Sequence, residues 1–191
     1  NYPFKGLCGA GVAYKLVQVL YENAKLPLEE LYRFLEYAAI ATVADVMDLV
    51  GENRIIVKEG LKRLRKTNNI GLLAIMEANK LTPSQLNSYH IGFIIGPAFN
   101  AAGRLETAQM AVDLLRETDS NRARQMAVEL TELNNRRKDM TAKGVEDAVQ
   151  IIEQSKWKND RILLVYLKDC HESIAGIIAG RLREKYYRPV Y

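Results

Sequence analysis

"NRARQMAVELTELNNRRKDMTAKGVEDAVQIIEQS", residues 121–155, decides how this chain is organised. It contains no proline, and Met126, Leu130, Leu133, Met140, Ala148 and Ile151 recur near helical spacing. A helix of about 30 residues spans about 45 Å, more than one compact domain of this size needs. The apolar stripe is interrupted at Arg137 and Gly144, and Arg136, Arg137 and Lys138 crowd its middle. The pattern therefore predicts a connector between two lobes.

Outward from this segment the grammar differs on the two sides. On the C-terminal side "RILLVYL" (161–167) reads as a plain strand, and "DCHESIAGIIAGRLREKYYRPVY" (169–191) as loop, helix and the start of another strand. On the N-terminal side "GLCGAGVAYKLVQVL" (6–20) reads as a glycine-rich turn entering a helix. Its order is GxxGxG with no GK[ST] following, which argues against dinucleotide and P-loop sites and for close backbone packing at a helix start. Residues 28–39 form a strong amphipathic helical pattern, whereas "IATVADVMDLV" (40–50) reads as a buried strand or strand-like turn ending at Asp45. A turn and a helix follow, whose cations Lys62, Arg63, Arg65 and Lys66 suit a helix C-terminus. "GLLAIMEAN" (71–79) continues as a helix, and Thr82 before Pro83 reads as the N-cap of another. An apolar run (Ile91, Phe93, Ile94, Ile95) then stops at Gly96-Pro97, ahead of the small-residue segment "NAAGR" (100–104) and an amphipathic pattern to Leu115. The expected fold is α/β and helix-rich: a larger lobe over 1–120, a connecting helix over 121–156, and the start of a second α/β lobe over 157–191.

A chain of 191 residues, 48% of them hydrophobic, can bury an ordinary core. No stretch has the roughly 18 uninterrupted apolar residues of a membrane span, and there is no leader pattern, so a cytoplasmic address and no membrane partner are the default expectation. Cys8 and Cys170 belong to no metal or CxxC spacing and are expected as free thiols. The net charge of +4 permits a nucleic-acid or phosphate-bearing partner without requiring one. The start on "NYPFKG" and the stop at "YYRPVY" read as an internal fragment of a longer protein.

Two residues stand out chemically. Asp45 puts a carboxylate at the end of an apolar run, where its charge needs a cation, a metal or hydrogen bonds; on position alone it is either a structural cap or one ligand of a divalent-metal site, which needs several more. Arg104 follows Ala101-Ala102-Gly103, where nothing bulky hides a guanidinium. It is placed either to meet something anionic or to pair with Glu106.

Four blocks carry a resemblance: "YPFKGLCGAGVAYKL" (2–16), "ATVADVMDLVGENRIIVKEGL" (41–61), "IGPAFNAAGRLETAQMAVDLL" (95–115) and "CHESIAGIIAGRLREKYYRPV" (170–190). In order and spacing they resemble the RecJ-type single-strand exonucleases of the DHH phosphoesterase superfamily. The resemblance implies hydrolysis of single-stranded DNA from its 5′ end, in recombination and repair, with Mn²⁺ or Mg²⁺ as cofactor. It makes residues 1–120 the latter part of a DHH catalytic lobe and 157–191 the start of a DHH-associated lobe. Asp45 matches the aspartate of the family's "ADV" motif and is implied as a catalytic metal ligand, while the remaining ligands would precede residue 1 and a late glycine-rich motif would follow Tyr191. The segment by itself is then expected to be inert. Arg104 matches the arginine of "NAAGR" and is implied to bind a DNA phosphate at the 5′ end. Asn100 beside it either bonds a phosphate or caps a loop. His171 matches the histidine of a "WHEGVIGIVASR"-like motif, near substrate or structurally satisfied, and Arg181 on the following helix reaches phosphate or an ion pair. Tyr186 and Tyr187 interleave with cations, as either a stacking surface or core. Single-stranded DNA is the implied partner, with a helicase or a single-strand-binding protein as candidates besides. Ala98, Asp48, Cys170, Ser173 and Ala175 depart from the family pattern. Two other readings stay open: a DHH phosphodiesterase of short oligonucleotides or cyclic dinucleotides, and an inactive DNA-binding scaffold.

Overall fold

The computed structural model describes residues 2–191. In chain order they form α1 (Gly9–Ala24), α2 (Leu28–Tyr32), α3 (Leu35–Ala44), α4 (Gly51–Leu64), α5 (Ile70–Ala78), α6 (Ser88–His90), α7 (Gly96–Leu105), α8 (Gln109–Arg116), α9 (Ser120–Gln154) and α10 (Glu172–Tyr186). A short 3₁₀ turn occupies Pro83–Gln85, and a π-helical turn, Ile91–Ile95, joins α6 to α7. No described helix is long and apolar enough to cross a membrane.

The long helix is the spine. Asp119 caps α9 by accepting from the Arg122 amide at 2.7 Å, and Glu117 braces the same turn through an ion pair to Arg122 at 3.1 Å. Its 35 residues span about 50 Å. Along one stripe the first half buries Ala123, Ala127 and Leu130 against Leu72, Ile75, Met76, Ile95, Ala102 and Leu114. The second half buries Ala148 and Ile152 against Leu163, Ile174, Ile178 and Leu182. Asn134 and Thr141 are the buried residues between those two stretches, and both are polar. A satellite cluster of Tyr14, Leu31, Leu35, Ala38, Ala39 and Ile56 packs α1, α2 and α3 onto α4.

Several local expectations need correction. Residues 35–44 form a helix, and "IATVADVMDLV" contains no strand. Its β-branched residues suggested one, but the alanines interleaved with them favour helix and allow tight packing on α4, and Thr42 satisfies its hydroxyl by donating to the Ala38 carbonyl at 2.7 Å. The helix expected over 28–39 breaks at Arg33-Phe34. Thr82 precedes only a 3₁₀ turn and makes no side-chain cap. The glycines at the start of α1 approach local side chains, Gly6 that of Phe4 and Gly11 that of Leu7, rather than distant backbone. The run at 91–95 does not stop at Gly96-Pro97, because proline is tolerated in the first turn of α7 and the helix passes through it.

Beyond α9 no strand forms over 161–167 as expected; the segment is extended and meets the chain end in a single isolated parallel bridge, Leu163 with Val190. Leu163 N donates to Pro189 O at 3.0 Å, and Tyr191 and Val165 continue the register. α10 is the crossover that parallel pairing requires.

Helix packing is tight where side chains are missing. A Cβ on Gly71 in α5 would run into the backbone carbonyl of Leu114 at the end of α8. Gly71→Ala would gain roughly 1 kcal/mol as an ordinary helix substitution. Here the obstacle is backbone, so a net loss of about 1–3 kcal/mol is expected in urea unfolding, and an unchanged or raised midpoint would contradict this packing.

Candidate functional site

The polar middle of α9 faces the ends of two other helices. Arg137 lies on the same stripe as Leu130, Asn134, Thr141 and Ala148, at helical spacing, so it points into the seam instead of into solvent. Its guanidinium is half-buried and held by Asn134 Oδ1, which accepts from Nη2 at 3.0 Å and Nε at 3.2 Å. Burial first, and then the positive charges of Arg104 and Arg181, push the Arg137 pKa below its usual value. Guanidiniums from α7, α9 and α10 thus lie near enough for their charges to act on one another, Arg104 and Arg181 exposed and Arg137 half-buried, and among the described residues neither Arg104 nor Arg137 has a carboxylate partner. Arg181 touches Glu184 only at 4.0 Å, with both side chains exposed.

Arg104 ends α7 and crosses the seam, donating from Nη1 to the Ser173 carbonyl at 2.9 Å. The expected alternative of a pair with Glu106 is not among the ion pairs of the described residues. His171 is the N-cap of α10, and its Nδ1 accepts from the Ser173 amide at 3.3 Å and lies 2.8 Å from Ser173 Oγ. With that amide donating, the neutral ring carries its proton on Nε2. Arg104, Ser173 and His171 therefore form one chain of hydrogen bonds. Asn100 sits in the interior of α7, one turn before Arg104 and exposed, so it caps no loop.

Asp45 stands apart from this seam. It is the exposed C-cap of α3, whose end closes as a Schellman motif: Val46 N bonds Val43 O at 3.1 Å and Met47 N bonds Thr42 O at 3.1 Å. The left-handed position of that motif, usually glycine, is Val46 at φ +54°, a strained choice for a β-branched residue. Asn53, fully buried, clamps the following loop by donating to the carbonyls of Gly6 (2.7 Å) and Asp48 (3.0 Å). The π-turn brings α7 against the same place: a Cβ on Gly96 would lie 2.8 Å from Ala44 Cβ. Among the described residues no three His, Cys, Asp or Glu side chains are grouped to hold a metal ion. Asp45 can supply one ligand and the described residues do not complete a site.

The fold recurs in known proteins. The chain is 38% identical over 189 residues to the single-stranded-DNA-specific exonuclease RecJ of Bacillus subtilis (strain 168), covering 99% of this chain and 23% of that protein. The chain is homologous to part of RecJ. The crystal structure of Thermus thermophilus RecJ with Mg²⁺ superposes with a TM-score of 0.87 at 33% identity, over 100% of this chain and 29% of that one. The Mn²⁺ complex of T. thermophilus RecJ gives 0.86 at 33% identity, over 98% of this chain and 28% of that one. The chain thus spans about a quarter to a third of the length of the curated RecJ proteins it matches. No family model matches it.

Of the residues that stand out in the sequence, the structure places Arg104, His171 and Arg181 at the seam, and three others take part that the sequence does not single out for a site. Arg137 reads in sequence as a break in an apolar stripe within a run of cations, although its spacing from Leu130 and Thr141 is the available signal. Ser173 joins Arg104 to His171 through its backbone carbonyl, which side-chain identity does not reveal. Asn53 had no distinguishing pattern. The three converging charges should welcome an anion: sulfate at millimolar concentration is expected to raise the melting temperature of the wild type, and Arg137→Gln to abolish most of that rise. An equal rise in both proteins would place the anion elsewhere.

Proposed function

We propose that this chain forms part of a metal-dependent nuclease acting on single-stranded DNA, in which the Arg104–Arg137–Arg181 seam holds the 5′ phosphate end. The convergence of three guanidiniums unpartnered by buried acid carries this reading. The exposed Arg104 and Arg181 add repulsion to the half-buried Arg137, and a phosphate turns that repulsion into charge-assisted hydrogen bonds. Arginine suits the task because its planar fork meets two phosphate oxygens at once. Asn100, one turn away on the exposed side of α7, is placed to donate to the next phosphate. His171 acts through Ser173, fixing the first turn of α10 whose carbonyl receives Arg104.

In this reading residues 1–120 are the latter part of a DHH catalytic lobe, α9 is the connector and 157–191 begin a DHH-associated lobe. Asp45 takes one coordination position of a divalent ion, Mn²⁺ or Mg²⁺, completed by residues outside this chain. Such an ion, when bound, lowers the pKa of a coordinated water and stabilises the leaving oxygen. The chain's own contribution is a carboxylate on a braced helix end and a cationic seat that sets which phosphodiester lies beside it. T. thermophilus RecJ with Mg²⁺ and with Mn²⁺ supports the choice of ion.

Asp45 is exposed, and its side chain makes no hydrogen bond among those described, so Asp45→Ala in the full-length protein should leave stability within about 0.5 kcal/mol. It should abolish Mn²⁺-dependent release of nucleotides from 5′-labelled single strands. Arg104→Ala should weaken binding of a 5′-phosphorylated strand about tenfold or more relative to a 5′-hydroxyl strand. Unaltered turnover in the first variant, or equal loss for both strands in the second, would contradict these assignments. Cleavage confined to dinucleotides would move the protein to a small-substrate activity.

A further inference from the structure

Tyr89 and Phe93 are unusual for a helix so well anchored. The two rings stack with centroids 4.9 Å apart and planes 26° from parallel, yet they are 60% and 68% exposed. The backbone beneath them is fixed from several directions. Leu86 is fully buried and its carbonyl accepts from Arg65 Nε at 2.8 Å. Asn87 and His90 form a reciprocal capping box, and the His90 ring meets Tyr89 edge-on at 6.0 Å. Ile91 and Ile95 are fully buried, with the π-turn between them bringing Gly96 onto the end of α3. The pair is thus held rigid with its faces free.

Its position relative to the cationic seam suggests an occupant. Phe93 precedes Asn100 by seven residues and Arg104 by eleven, the helical path from the π-turn into α7 is unbroken, and all three side chains are exposed. Eleven residues of such a path advance about 15 Å, a few nucleotides of extended strand. Exposed aromatic rings upstream of an arginine and a polar amide on one rigid helical rod suit a single strand held without sequence preference, since every base has a π face. From this arrangement we infer that Tyr89 and Phe93 form a stacking platform for the bases of a single strand whose terminal phosphate sits at Arg104. The inference rests on the proposed function and adds the contact that keeps the strand extended along α7.

The test uses the full-length protein and 5′-phosphorylated single strands carrying 2-aminopurine at successive positions from the 5′ end. Wild type should quench the probe a few nucleotides in. Phe93→Leu should restore that emission and weaken binding roughly tenfold, with an unchanged melting temperature, while Tyr89→Phe should retain the quench. An abasic site at the quenched position should remove the difference between wild type and Phe93→Leu. Identical quenching in both proteins, or an affinity loss equally large on the abasic strand, would overturn the platform while leaving strand binding intact. Absence of any single-strand binding by wild type would instead remove the reading on which the platform rests.

Discussion

The Arg137 guanidinium, half-buried on Asn134 and facing two other guanidiniums, is the constraint around which this chain is arranged. A cation in that setting is destabilising on its own, since burial takes away water and its neighbours add repulsion. The same helical stripe supplies the compensation on either side: Ala123, Ala127 and Leu130 in one core, Ala148 and Ile152 in the other. One continuous α9 keeps the two cores a fixed distance apart and leaves the polar stretch between them as the floor of a seam. α7 and α10 close over it from the two sides, tied by Arg104 on the Ser173 carbonyl.

A second investment of strain lies at the end of α3. Val46 holds a left-handed conformation that glycine would adopt without cost, immediately after Asp45, and Asn53 fixes the loop beyond. The π-turn between α6 and α7 serves the same corner by allowing both Ile91 and Ile95 to be buried while Gly96 meets Ala44. Local irregularities of this kind persist where the surrounding packing over-determines them, and here they fix the backbone that carries the exposed Asp45.

Much of this was legible in residue order, for reasons that differ by element. The long helix is legible because no proline interrupts it and its period persists, and Leu130 and Ala148 of the expected stripe are buried. Met126, Leu133 and Ile151 are not; the stripe runs instead through Ala123, Ala127 and Asn134, because small residues permit close helix approach and hydrophobicity alone does not register that. Arg137 and Gly144 therefore looked like interruptions while lying on the packed face, Gly144 beneath Ile178. At 40–50 the β-branched residues outweighed alanine in the reading, and tertiary packing on α4 decided for helix. Arg104 and His171 were legible through motif blocks; the contacts that join them run through backbone atoms and were not.

The central claim is that the seam between α7, α9 and α10 is an anion seat. Crystals of the full-length protein soaked in selenate test it directly by anomalous scattering at the selenium edge. Selenate is expected within hydrogen-bonding distance of Arg104 and Arg137, with Arg104 drawn away from the Ser173 carbonyl. Selenate bound elsewhere on the surface, with Arg104 still on Ser173 and the seam empty, would contradict it.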